Sequence, residues 1–128
     1  MRRSEQREQA FLLVFESLFN GYSPEAAELY SENTEKLGSY ALELYNGVGE
    51  RAQELDGIIS AHLKGWKLNR ISKVSLAVLR LSVYELKYSE DVPESVAINE
   101  AVELAKKYSG KEDSAFVNGI LGAVVREK

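Results

Sequence analysis

Val92-Pro93-Glu94-Ser95-Val96-Ala97-Ile98-Asn99-Glu100-Ala101-Val102-Glu103-Leu104-Ala105-Lys106-Lys107-Tyr108 leads within a few residues to Phe116-Val117-Asn118-Gly119-Ile120-Leu121. Proline opens the first segment. Apolar residues then return at helical spacing at Ala97, Ala101, Leu104 and Tyr108. The second segment carries Val117, Ile120, Leu121 and Val124 in the same rhythm. Two consecutive amphipathic helices are expected, joined by a Ser109-Gly110-Lys111-Glu112-Asp113 loop. Asn99-Glu100, inside the first stripe, are expected to fix helix contacts rather than do chemistry.

The same periodicity extends upstream. Ile71 to Tyr88 has one stripe of Leu76, Leu79, Val83 and Leu86, and another beside it of Val74, Val78 and Leu81. So broad an apolar surface predicts a helix buried between layers. Leu37, Ala41, Leu44, Val48, Ala52, Leu55, Ile59 and His62 keep one phase, which predicts a single long helix. Gly47 and Gly49 weaken it, each by up to ~1 kcal/mol against alanine, and invite a kink. A first helix is expected from about Glu5 to Phe19, with Phe11, Val14, Phe15 and Leu18 inward, ended by Asn20-Gly21. Ser23-Pro24 starts a short helix to about Tyr30. No segment alternates with period two, so the fold class is all-α. Lys64-Gly65-Trp66 divides the chain into an N-terminal layer, about 1–64, and a C-terminal half, about 65–128, of one domain.

Composition narrows the functions. The chain has 128 residues, enough for one domain with a real core. It has no cysteine, which excludes disulfides, thiolate metal sites and a cysteine nucleophile. No metal-ligand spacing occurs, and no apolar run approaches a membrane span. A cytoplasmic location is the expectation. The net charge of −4 argues against strong non-specific nucleic-acid binding, so a basic patch must be local. Residues 1–35 hold three arginines, all within the first seven positions, against seven glutamates.

Four features admit a functional reading beside a structural one. Gly47-Val48-Gly49-Glu50-Arg51-Ala52 fits a dinucleotide fingerprint, but no strand precedes it, so no cofactor is expected. Arg3 and Arg7 lie one turn apart and could clamp adjacent phosphates; the alternative is a solvated terminus beside Glu5 and Glu8. His62, the only histidine, is either a helix-end packing residue or a ring for stacking on a base. Phe116, at the flank of its stripe, is either rim packing or a stacking platform. No catalytic pair of carboxylates stands out.

Trp66-Lys67-Leu68-Asn69-Arg70-Ile71, Val78-Leu79-Arg80-Leu81-Ser82-Val83-Tyr84-Glu85-Leu86 and the two segments quoted first follow in an order that resembles the NusB transcription antitermination family. Arg2-Arg3 with Arg7-Glu8-Gln9-Ala10 is similar to that family's start, so the resemblance spans the chain. It implies about seven helices in two packed subdomains and no catalysis. It implies binding to the single-stranded boxA element of ribosomal RNA leaders, alongside the small-subunit ribosomal protein that acts as NusE, in a complex with other antitermination factors and RNA polymerase. It carries RNA contacts onto Arg2, Arg3, Arg7, His62, Lys111 and Phe116. It carries the partner contact onto Ser75, where the family often has an acidic residue. Gly122 replaces a common aspartate. With three arginines engaged, the salt slope of RNA binding should be near −2. Two other readings stay open. One is a structural interaction domain with reduced RNA binding. The other is a fragment related to the N-terminal module of an rRNA methyltransferase. A homodimer covering the arginine face is also open.

Overall fold

The segment that is apolar most of the way round becomes the centre of the molecule. The computed structural model describes residues 1–127, and seven α-helices carry the fold. They are α1 (Arg3–Asn20), α2 (Pro24–Asn33), α3 (Ser39–Glu50), α4 (Ala52–Ala61), α5 (Lys73–Tyr88), α6 (Glu94–Tyr108) and α7 (Lys111–Arg126), with a 3-10 turn at Leu68–Arg70. Helix α5 packs against α1, α3, α4, α6 and α7. A continuous run, Ser75 to Leu79, is buried on every side, as a helix between layers must be. It begins two residues later than expected. Ser72 takes the N-cap, its Oγ accepting from the Ser75 N–H at 3.0 Å, and Ile71 stays extended.

Helix α6 starts after Pro93 and buries Ala97, Ala101, Leu104 and Ala105. Helix α7 buries Val117, Ile120, Leu121 and Val124, the stripe visible in the sequence. The loop between them is shorter than expected. Only Ser109 and Gly110 connect the helices, and Gly110 has φ 154°, a conformation that side chains disfavour. Lys111, Glu112 and Asp113 form the first turn of α7, where acidic residues suit the positive end of the helix dipole. Asp113 also accepts from the Ser72 hydroxyl at 2.8 Å and from Ser109, pinning the starts of α5 and α7 together.

The expected long helix is two helices. The chain leaves helical geometry at Arg51 (φ −117°, ψ 21°), between α3 and α4. The glycines explain what packs nearby. A Cβ on Gly47 would lie 2.2 Å from the Tyr84 ring, and one on Gly49 would lie 2.2 Å from the Tyr22 ring. Both positions are close approaches of an aromatic ring to a helix backbone, so the dinucleotide-like pattern serves packing. Helix α2 buries only Ala27 and is held mainly at its ends. The Tyr45 hydroxyl bonds the Ser23 backbone at its start, and the Tyr30 hydroxyl bonds Glu35 beyond its end.

Candidate nucleic-acid interface

The arginines of α1 divide between surface and core. Arg2 is exposed, its backbone N–H and its Nε both donating to Glu5 Oε1, at 3.1 and 3.2 Å. Arg3 lies over the Tyr40 ring, 4.0 Å from its centroid, and pairs with Asp91 at 3.0 Å. Both partners are well exposed, so this arginine can exchange Asp91 for a phosphate at little cost.

Arg7 faces the other way. It is buried, and its Nε donates to both Glu85 oxygens at 2.9 Å while Nη1 donates to Glu100 at 2.9 Å. Glu85 is buried too, and also accepts from the Tyr40 hydroxyl, which reaches Ser89 as well. Burial works against the Arg7 charge, but Glu85 more than offsets it, so the guanidinium holds its proton above its ordinary value. Burial and the bond to Glu85 push the Tyr40 hydroxyl up to about 12. Arg3 and Arg7 do share one face around Tyr40, but the Arg7 guanidinium is directed into a network joining α1, α3, α5 and α6. Glu100 thus fixes a helix-to-helix contact.

The other expected site residues separate. Ser75 is fully buried, and its Oγ has no hydrogen-bond partner; a protein docking on the surface cannot reach it. His62 caps α4, with Nδ1 2.8 Å from the Ile58 carbonyl and Nε2 2.5 Å from Glu127 beyond the end of α7. Phe116 lies eleven residues before Glu127, about 16 Å along the α7 axis, so its ring and His62 do not share a site. Lys111 is exposed on the first turn of α7, five residues from Phe116 and therefore on a different face.

Phe116 does have company. It lines a cleft of about 240 Å³ with Trp66, Arg70, Ile71, Ser72, Glu112 and Asp113. Gly65, at φ 76°, turns the chain and leaves Trp66 60% exposed. Trp66 stacks on no other aromatic among the described residues. Sequence reasoning missed this group, although the charge pattern around it is plain along the chain. Between Asp56 and Glu85 there is no acidic residue and five basic ones, Lys64, Lys67, Arg70, Lys73 and Arg80. Arg80 is held bidentately by Asp56 at 2.8 and 2.7 Å. The other four are exposed and have no carboxylate partner among the described residues. The opposite holds from Glu8 to Glu50, which contains eight glutamates and one basic residue, Lys36.

Fold and surface define a class: a seven-helix module that presents cations and aromatic rings on some elements and carboxylates on others. The chain belongs to the NusB family, whose pattern matches residues 4–126. It is 47% identical to the transcription antitermination protein NusB of Acetivibrio thermocellus, over all of this chain and 91% of that one. It is 41% identical to the NusB of Clostridium novyi, over 98% of this chain and 99% of the relative. Among solved structures, it superimposes on T. maritima NusB with a TM-score of 0.86 and 34% identity, covering 99% of this chain and 92% of that one. It matches with a TM-score of 0.85 and 29% identity, over the full length of both chains, a chain from a complex of antitermination factors NusB and NusE with double-stranded RNA. No helix among the described residues is long and apolar enough to cross a membrane.

Proposed function

We infer that this protein is a transcription antitermination factor that works as a non-catalytic adaptor in the cytoplasm, binding the boxA element of rRNA leader transcripts together with the ribosomal protein that acts as NusE. The observation that carries this reading is the full-length likeness to the chain solved with NusE and RNA. The chain's own chemistry supports it. Arg2 and Arg3 offer exposed guanidinium groups, and Phe116 offers a ring at the edge of a cleft. Phosphate contacts give affinity that salt weakens, and stacking on an unpaired base adds about 1–3 kcal/mol. A net-acidic chain is a poor lone binder of RNA, so a basic partner completes the surface. We further read residues 1–64 and 65–128 as two layers of one module, with α5 of the second layer packed against α1, α3 and α4 of the first.

The test is a titration of a short boxA-type RNA, single-stranded and as a duplex, with and without the NusE-type protein, at two salt concentrations. The pair should bind the boxA sequence more tightly than a scrambled one, and Arg3→Glu or Phe116→Ala should weaken binding. Equal affinity for boxA and scrambled RNA overturns the reading. The inward turn of Arg7 favours one second reading, an interaction domain with reduced RNA binding. In that case RNA and partner would bind without affecting each other.

A further inference from the structure

We propose that the cleft between Trp66 and Phe116 is a slot for one unpaired nucleobase, with Lys64, Lys67, Arg70 and Lys73 as the phosphate contacts of the strand that delivers it. This rests on the RNA-binding reading above and adds a point of contact remote in sequence from the arginines of α1.

Three observations carry it. The first is the unpartnered ring. An indole 60% exposed is a large apolar surface that neither the core nor another aromatic covers. It lines the same cleft as the partly buried Phe116. Volume fits as well: about 240 Å³ is below the range of drug-sized pockets and suits a single planar ring system.

The second is the division of charge. Four basic side chains without carboxylate partners occupy ten residues, Lys64 to Lys73; Arg70 lines the cleft with Glu112 and Asp113, and the three lysines lie within two residues of its lining residues Trp66 and Ser72. Carboxylates repel phosphate and accept hydrogen bonds from the amino edge of a base. The three lysines outside the lining hold the backbone at the rim, while Arg70, Glu112 and Asp113 meet the nucleotide at the slot. This combination of stacking rings and a basic track is how single strands are held.

The third is rigidity. Asp113 accepts from Ser72 and Ser109, so the wall carrying Phe116 is tied to the start of α5 and keeps its place before any ligand arrives.

The chain has one tryptophan, so its fluorescence reports on this slot alone. Titrating the protein and its NusE-type partner with a boxA-type single-stranded RNA labelled at one end gives two signals, label anisotropy and Trp66 emission. Any tryptophan in the NusE-type protein is first replaced by phenylalanine. Both signals should saturate together. Trp66→Ala should weaken binding about fivefold or more, and Trp66→Phe should restore most of the affinity, because the ring is retained. Since Trp66 is mostly exposed, unfolding curves of both variants should overlay the parent's. Replacing Lys64, Lys67 and Lys73 together by glutamine should reduce the salt slope by about 0.7 for each phosphate that is no longer neutralised. If anisotropy reports binding while Trp66 emission stays constant and Trp66→Ala binds like the parent, the slot is wrong and the RNA reading stands. If the pair binds no RNA by either signal, both fall.

Discussion

Replacing Arg7 by alanine separates a core arginine from an RNA-binding one. The side chains of Arg7 and Glu85 are 6% and 2% exposed, and the three donor–acceptor distances from the guanidinium are all 2.9 Å. Removing one partner of such a buried pair leaves the other charge uncompensated and costs about 3–5 kcal/mol. Here Glu85 keeps the Tyr40 hydroxyl as a donor, so the lower end, about 3 kcal/mol, is expected. With a urea dependence of about 1.5 kcal/mol per molar, the unfolding midpoint should fall by about 2 M. Arg3→Ala, which removes only an exposed pair with Asp91 and the stack on Tyr40, should cost about 1 kcal/mol or less. Arg7→Met combined with Glu85→Leu removes both charges and should recover much of the stability. RNA binding, measured where each variant is folded, reverses the ranking. Arg3→Ala should lower the salt slope by about 0.7, and Arg7→Ala should leave it unchanged. With Arg7 turned inward, the α1 arginines supply a slope of about −1.4 rather than the −2 expected of three. The reasoning is refuted if Arg7→Ala unfolds at the same urea concentration as Arg3→Ala and reduces the salt slope as much.

Gly47→Ala and Gly49→Ala should each destabilise by about 1–3 kcal/mol in chemical denaturation, because the new methyl meets Tyr84 or Tyr22 at 2.2 Å. Gly57→Ala, mid-helix with nothing within 4 Å of its Cβ, should instead stabilise by about 0.5–1 kcal/mol. The Glu8 carboxyl is held below its usual range by bonds from Lys107 at 2.6 Å and from Tyr108. A depressed folded value means that its contribution is present above the unfolded value near 4.5 and disappears as pH falls through the folded one. Glu8→Gln should therefore flatten the acid limb of a stability-against-pH curve, and an unchanged limb would dismiss the contact. Arg80→Lys cannot reproduce the bidentate pair with Asp56 and should loosen α4 from α5, read as faster amide exchange along α4.

Much of this architecture is legible in the sequence because it depends on local periodicity. The stripes of α5, α6 and α7 need only neighbours three and four residues away, and Pro24 and Pro93 mark two helix starts. The break at Arg51 is only half legible: Gly47 and Gly49 invite a kink, but not two separate helices. Its glycines face Tyr22 and Tyr84, which come from outside α3 and α4, and the apolar phase runs through the break unaltered. The direction of Arg7 is hidden for the same reason, since its partners lie 78 and 93 residues further on. Ser75 resembles a surface position because serine is polar, yet α5 is enclosed there from all sides. The first turn of α7 could have been found: Glu112 and Asp113 are what a helix start prefers. The Trp66 cleft is half visible. The acid-free stretch can be counted in the sequence, but its meeting with Phe116 requires the fold.

The separation of charge along the chain also has a kinetic meaning. Four exposed cations without carboxylate partners gather between Lys64 and Lys73, so the potential over that segment is more positive than the net charge of −4 suggests. A polyanion approaching such a surface is turned before it is touched: drawn to that segment and repelled by the glutamate-rich elements. Collisions become productive more often, and the association rate gains while the protein as a whole stays acidic. The glutamates that seemed to argue against a nucleic-acid partner would then act as a rudder.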